Sequence, residues 1–238
     1  MDYKFTIIVP VYNEEDNLER LEAELLNYLT SSIVSTKILI VNDGSTDGSQ
    51  ALIENICQKH SNFNYILFAK NQGLSTALKA GFDIATTELV GYIDADLQTT
   101  PKDFNLLLEH IKDYDLVTGV RQNRKDSFIK NVSSSIANRI RRLFTHDGMD
   151  DTGCPLKVIK AEYAKRIPMF KGLHRFLPAM ILLQNGTVKQ IPVQHFPRIA
   201  GTSKFGLRKR LISPLIDCFA YLWMNRKKIN YNIKKKSF

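Results

Sequence analysis

Through the first 120 residues, apolar and polar positions fall into blocks that repeat as strand followed by helix. Phe5–Pro10 is a run of β-favouring residues, and Glu14–Leu29 then places Leu18, Leu21, Leu25 and Leu29 at helical spacing. Lys37–Val41 is a continuous apolar strand ending at Asn42-Asp43-Gly44. Ser45 or Thr46 is a candidate cap for the next helix, which runs to about Lys59. Tyr65–Phe68 and Leu89–Ile93 read as strands on either side of a helix over Leu74–Ala85, and Tyr114–Thr118 as another strand. Strands apolar throughout, with helices between them, imply an α/β fold: a mostly parallel, Rossmann-like sheet with helices on both faces. Such sheets bind ligands beyond the carboxyl ends of their strands. Three polar clusters fall there: Tyr12-Asn13-Glu14, Asn42-Asp43-Gly44 and Asp94-Ala95-Asp96.

After residue 120 the alternation weakens. Arg121–Leu143 is polar with helical spacing, Gly172–Gln184 reads as an apolar helix, and Gly186–Phe196 as a strand or hairpin arm. Arg198–Lys204 is a glycine-containing loop, and Leu207–Asn225 an amphipathic helix with an irregularity at Pro214. The pattern divides the chain into a body, 1–205, with halves 1–120 and 121–205, and a tail, 206–238.

The length of 238 residues suits one large domain with an appendage. Cys57, Cys154 and Cys218 are too few and too scattered for a disulfide framework, which points to a reducing compartment. The first residues read as a buried strand, without the cationic start and cleavage site of a signal peptide. The net charge of +9 changes the picture once it is located. Residues 201–238 hold ten Lys or Arg against Asp217 alone, so the preceding residues are balanced. Such a tail suits an anionic surface. Nucleic-acid binding would spread basic and aromatic residues over the folded surface, so the terminal excess argues against it.

Two carboxylates in one crevice, as at Asp94 and Asp96, repel each other unless a cation lies between them. A hard divalent ion that also holds substrate phosphates needs only one or two protein carboxylates, and Gln98 offers a neutral oxygen. A turn capping a helix after Pro101 accounts for the same triplet without a metal. Val41–Asp47 is likewise either a strand-to-helix turn or a site where a carboxylate accepts from a nucleobase N–H. His146, His174 and His195 lack metal-ligand spacing, Cys154 reads as structural, and neither a P-loop nor a Ser-His-Asp pattern occurs.

Together, Pro10-Val11-Tyr12-Asn13-Glu14, Val41–Asp47, Asn71-Gln72-Gly73 with Ala77 and Gly81, and Asp94–Gln98 resemble the inverting glycosyltransferases of family 2, which have the GT-A fold. The resemblance covers about the first 120 residues. It implies contacts to a UDP- or GDP-sugar from Pro10, Tyr12, Glu14, Asp43, Gly73 and Asp94. It also implies Mg²⁺ or Mn²⁺ held by Asp94 and Asp96, with Gln98 as third ligand. The second half is similar to the polyprenyl-phosphate (dolichol-phosphate type) glycosyltransferases. The matching features are Pro101, Val117–Arg121, Lys130 with Ser134, His174-Arg175-Phe176 and Arg198–Lys204. In that subfamily the residues at Arg121, Lys130, Ser134, Arg198 and Lys204 gather around the acceptor phosphate, and the position of Lys130 is more usually Arg. An ordinary solvated surface is the alternative for these basic residues.

The implied activity is transfer of one hexosyl-type sugar to a polyprenyl phosphate, by single displacement with inversion, Asp96 and Arg121 acting at the reaction centre. The implied location is peripheral, at the cytoplasmic face of the membrane, with its anionic surface and an integral membrane protein as partners. A saccharide-hydroxyl acceptor in cell-surface polysaccharide synthesis stays open, because a hydroxyl must lose a proton and Asp151, or its neighbour Asp150, is a candidate base. A non-catalytic nucleotide-binding module is the reading from another class. Leu211–Met224 is too short to span a bilayer and is interrupted by Pro214 and Asp217. Leu211, Leu215, Phe219 and Leu222 share a helical face, with Ile212, Ile216 and Trp223 close to it and basic triplets at Arg208–Arg210 and Arg226–Lys228. This suits a helix lying among anionic headgroups, or a core-packed helix with a solvated tail.

Overall fold

A computed structural model describes residues 2–122, 141–197 and 207–229, with 234, 235 and 237; for 207–215 only the helical backbone is described. Strands β1 (Phe5–Val11), β2 (Thr36–Asn42), β3 (Phe63–Leu67) and β4 (Leu89–Tyr92) alternate with helices α1 (Glu15–Ser31), α2 (Ser49–Lys59) and α3 (Leu74–Ile84). After α4 (Phe104–Leu108) come β5 (Leu116–Arg121), β6 (Lys157–Lys160) and β7 (Val188–Val193), completing one seven-stranded sheet of order β3-β2-β1-β4-β6-β5-β7. All pairings are parallel except those of β6, which runs against both β4 and β5.

The two-residue period of the strands sorts the core into two layers. Phe5, Ile7 and Val9 of β1 pack with Leu18, Leu21 and Leu25 of α1 and Ile53 of α2 on one face. Ile8, Leu39 and Val41 pack with Ala77, Leu78 and Phe82 of α3 on the other. Burying both faces removes any polar alternation from β1 and β2, which is why they read as continuous apolar runs.

Several boundaries differ from the predicted ones. Ser45 and Thr46 do not cap α2: they bond to Asn13 in the preceding loop, and Asp47 Oδ1 accepts the N–H of Ser49, where α2 begins. Arg121 closes β5 instead of opening a helix, residues 141–145 are helical, and 123–140 lie outside the described residues. The apolar segment from Gly172 divides into a 3-10 turn, Leu173–Phe176, and a helix, Leu177–Leu183, with Pro178 in its first turn. The pattern does not predict β6 or the helix Ala161–Arg166, because Lys-Val-Ile-Lys is four residues with a cation at each end.

The C-terminal helix, Leu207–Lys227, is continuous through Pro214. Its described part keeps Ile216, Phe219 and Trp223, which the spacing groups, together as exposed residues. Cys218 and Tyr221 pack into the α3-side core, whereas Ile216, Phe219 and Trp223 are 64%, 62% and 65% exposed. Among the described residues no helix is long and apolar enough to cross a membrane.

Candidate active site

The carboxyl ends of β1, β2 and β4 meet at a cavity of ≈ 380 Å³. Its wall includes Pro10, Tyr12 and Glu14 after β1, Asp43 after β2, Asn71 and Gly73 before α3, and Asp94 and Asp96 after β4. A larger hollow, ≈ 1030 Å³, opens around Lys4, Leu89 and Lys160 at the other edge of the sheet. It lies away from the strand ends where an α/β sheet gathers its functional loops.

The first two loops are stitched together by short polar side chains. Asn13, in the left-handed region at φ 51°, donates its N–H to Ser45 Oγ (2.9 Å) and accepts the N–H of Thr46 at Oδ1 (2.8 Å). Glu14 N–H donates to Ser49 Oγ (3.1 Å), and Glu15 Oε2 accepts Gly48 N–H (2.9 Å). The Glu14 carboxylate accepts from Asn17 Nδ2 at 2.7 Å. Asn is one of the few residues that tolerate φ > 0, so Asn13 turns the chain where β1 ends.

Asp43 is a clasp. Its Oδ1 accepts the N–H of Gln72 (2.6 Å) and its Oδ2 that of Gly73 (2.8 Å), so one carboxylate satisfies two amides leading into α3. Gly73 has φ 90°, and a Cβ there would meet nothing within 4 Å, so bare backbone faces the cavity. Gly44, at φ 68°, lets its loop close on the β3–α3 connection: an added Cβ would lie 2.4 Å from the Lys70 carbonyl carbon.

The loop after β4 is anchored by its apolar residues. Ala95 and Leu97 anchor in the α1-side core, at 3% and 2% exposure, while Asp94 and Asp96 line the cavity. Asp96 Oδ1 accepts Gln98 N–H at 3.3 Å. The Gln98 carbonyl accepts from Phe196 N–H (2.8 Å) and His195 Nδ1 (3.0 Å), pinning the exit of β7 to this loop. A carbonyl only accepts, so His195 carries its proton on Nδ1. Gln98 is not among the residues lining the cavity. Among the described residues no three His, Cys, Asp or Glu side chains converge to enclose an ion. Asp94 and Asp96 on one wall fit a divalent ion that keeps coordination positions for phosphate oxygens.

Arg121 and Asp151 form a fork. Nε donates to Oδ2 at 2.7 Å, Nη2 to Oδ1 at 2.9 Å, and the Arg121 backbone N–H also reaches Oδ2 at 3.3 Å. Burial opposes the guanidinium's charge, but the hydrogen bonds and charge of Asp151 outweigh it and hold Arg121 above its ordinary pKa. Asp150 points elsewhere, to Arg142 Nη1 at 2.9 Å. Lys130, Ser134, Arg198 and Lys204 lie outside the described residues. Sequence reasoning missed the stitching role of Asn13, visible only as a polar residue at a strand end, and Lys157, a lysine in a short strand.

The chain matches the sequence profile described as Glycosyl transferase family 2 over residues 6–167. It is 32% identical over 219 residues to undecaprenyl-phosphate 4-deoxy-4-formamido-L-arabinose transferase of Sodalis glossinidius (strain morsitans), a match spanning 90% of this chain and 67% of that protein. Among solved structures, the mannosyltransferase PcManGT of Pyrobaculum calidifontis, in complex with GDP-Man and Mn²⁺, superposes with TM-score 0.67 at 19% identity. That match covers 92% of this chain, which spans 64% of the mannosyltransferase's length. Glucosyl-3-phosphoglycerate synthase of Mycobacterium tuberculosis, in complex with Mn²⁺, UDP and glucosyl-3-phosphoglycerate, gives TM-score 0.70 at 12% identity, covering 96% and 81% of the two chains. These likenesses establish the fold as GT-A. Since the matched profile runs from β1 to beyond β6, well over half the chain, the protein belongs to glycosyltransferase family 2.

Proposed function

We propose that the protein transfers a sugar from a UDP- or GDP-sugar to a polyprenyl phosphate, with Mg²⁺ or Mn²⁺ at Asp94 and Asp96. The observation that carries the choice of acceptor is the Arg121–Asp151 fork. A base for a saccharide hydroxyl must turn a lone pair toward the attacking oxygen. Both oxygens of Asp151 instead accept N–H groups of Arg121. A phosphate acceptor arrives already anionic and needs cations that orient it, for which a planar guanidinium is suited. The similarity to a transferase named for undecaprenyl phosphate supports the same reading.

In this mechanism Pro10, Tyr12, Glu14 and Asp43 hold the nucleoside, and the bare backbone at Gly73 allows close approach of the donor. Asp94 and Asp96, with Gln98, would hold the divalent ion, whose chemistry is to neutralise charge on the departing nucleoside diphosphate. Arg121, Lys130, Ser134, Arg198 and Lys204 position the acceptor phosphate. One of its oxygens bonds to the anomeric carbon as the bond to the diphosphate breaks, from the opposite face, so configuration inverts and no proton need be removed. Residues 1–205 form the catalytic domain and 206–238 the membrane-associating tail. The enzyme sits peripherally at the inner face, its exposed Ile216, Phe219 and Trp223 meeting lipid beside Arg226 and Lys227, with an integral membrane protein as neighbour.

The test incubates the enzyme and Mn²⁺ with labelled UDP- and GDP-sugars and either undecaprenyl phosphate or a saccharide acceptor. Label should enter the organic phase with an inverted anomeric configuration. Asp151→Asn should keep activity within about tenfold, whereas loss of a general base costs about a hundredfold or more. Label only in water-soluble saccharide, lost in Asp151→Asn, would establish the hydroxyl acceptor instead.

A further inference from the structure

Lys157 has a fully buried side chain. Its Nζ donates to the carbonyl oxygens of Thr152, at 3.3 Å, and Cys154, and lies 5.3 Å from the centre of the Tyr92 ring. Carbonyls and a ring face are neutral partners. Taking an ammonium out of water costs several kcal/mol, and an apolar side chain of similar length would pack there without that cost. Packing alone therefore does not account for a cation at this position.

Its place in the sheet does. β6 lies between β4 and β5, and the register sets Lys157 opposite both Tyr92 and Thr118. Two residues beyond Tyr92 is Asp94, and three beyond Thr118 is Arg121. The carbonyls that Lys157 holds flank Gly153, in the turn that starts with Asp151. Lys157 thus joins three segments: its side chain touches the turn that carries the counter-ion and the strand that leads to the metal-side carboxylates, and its backbone pairs with the strand that ends at the acceptor-side cation. It lines neither the donor cavity nor the Arg121 fork.

We propose that Lys157 is a positioning residue for the acceptor. Its ammonium fixes the Asp151–Cys154 turn so that Asp151 meets the Arg121 fork, and sets that pair in register with the Asp94–Asp96 loop. The proposal rests on Arg121 being the acceptor-phosphate cation. Lys157→Met keeps the reach of the side chain and removes the charge and its hydrogen bonds. With undecaprenyl phosphate as acceptor, kcat over acceptor KM should fall by up to about tenfold, no more than Asp151→Asn itself costs. Affinity for UDP or GDP with Mn²⁺, read by calorimetry, should stay within about twofold, since Lys157 is not part of the wall of the nucleotide cavity. In an Arg121→Ala background the same substitution should add less than about twofold, because the group it positions is gone.

Equal losses of nucleotide affinity and acceptor use, or additive losses in the Arg121→Ala background, would reduce Lys157 to general support of the fold and overturn the proposal. Lys157→Gln, which keeps an N–H donor group without the charge, provides the same reading at smaller amplitude should Lys157→Met not fold. A wild-type enzyme inert toward every polyprenyl phosphate would instead remove the acceptor reading itself. An active wild type with unselective Lys157 variants would remove this proposal alone.

Discussion

Both oxygens of Asp43 accept amides from the turn before α3, so its removal strands two backbone donors at the cavity edge. Hydrogen bonds to a charged group contribute about 1.5–3 kcal/mol each, and Asp43→Ala should lower stability to urea by about 2 kcal/mol or more while weakening nucleotide binding. Unfolding curves and nucleotide titration measure both. His174 responds to pH. Ser75 Oγ accepts the N–H groups of Gly172 and His174, so its own proton goes to His174 Nδ1. Burial, and then the charges of Arg175 and Lys157, lower this imidazole's pKa from 6.5 to about 3. The unfolded chain takes up a proton below pH 6.5 and the folded one does not. The stabilisation is complete above pH 6.5 and is lost as pH falls toward about 3, at up to about 1.4 kcal/mol per pH unit. Urea midpoints between pH 6.5 and 5 should decline less in His174→Asn than in the wild type. The strand-end placement of Asp43, Asp94 and Asp96 can be read from the sequence, because sheet period dictates where each strand stops. Their partners cannot: Gln72 lies 29 residues from Asp43, and Asp151 30 from Arg121, with no spacing rule joining them.

Elements were legible where burial on both faces makes a strand apolar throughout, as in β1, β2 and β4. β6 escaped because its Lys157 is buried by means of polar contacts that no hydropathy pattern encodes. The C-terminal helix was legible as a helix whose Ile216, Phe219 and Trp223 fall together, but the pair it turns to the core was not. It has apolar residues on more than one side, and packing on the body selected Cys218 and Tyr221. Phe219 meets the ring of Phe144 edge-on at 5.3 Å, which leaves the exposed Ile216 and Trp223 as the residues to change. Burying a large apolar side chain is worth about 1.5–3 kcal/mol, so the double substitution Ile216→Ser, Trp223→Ser should lower binding to phosphatidylglycerol vesicles by about a hundredfold. The melting temperature should barely move. Sedimentation with vesicles reads the first and calorimetry the second, and unchanged vesicle binding would remove this face from the membrane.

At the scale of the whole molecule, the charge balance of the body and the basic excess of residues 201–238 make a lopsided particle. Its attraction to an anionic bilayer should weaken steeply with salt, since the screening length falls from about 10 Å at 0.1 M to about 3 Å at 1 M. Vesicle binding measured across that range should fall, while nucleotide affinity, set by contacts inside the cavity, changes far less. The reversed direction of β6 has a different kind of consequence. A parallel strand brings its exit to the carboxyl edge of the sheet, but β6 brings its entrance, so the segment that leads into it arrives there from residues 141–156. That segment shares no residue with the walls of the nucleotide cavity. With Arg121 and Asp151 on the acceptor side, as proposed, exchange of this stretch between relatives is a route by which evolution retargets what receives the sugar while inheriting the apparatus that delivers it.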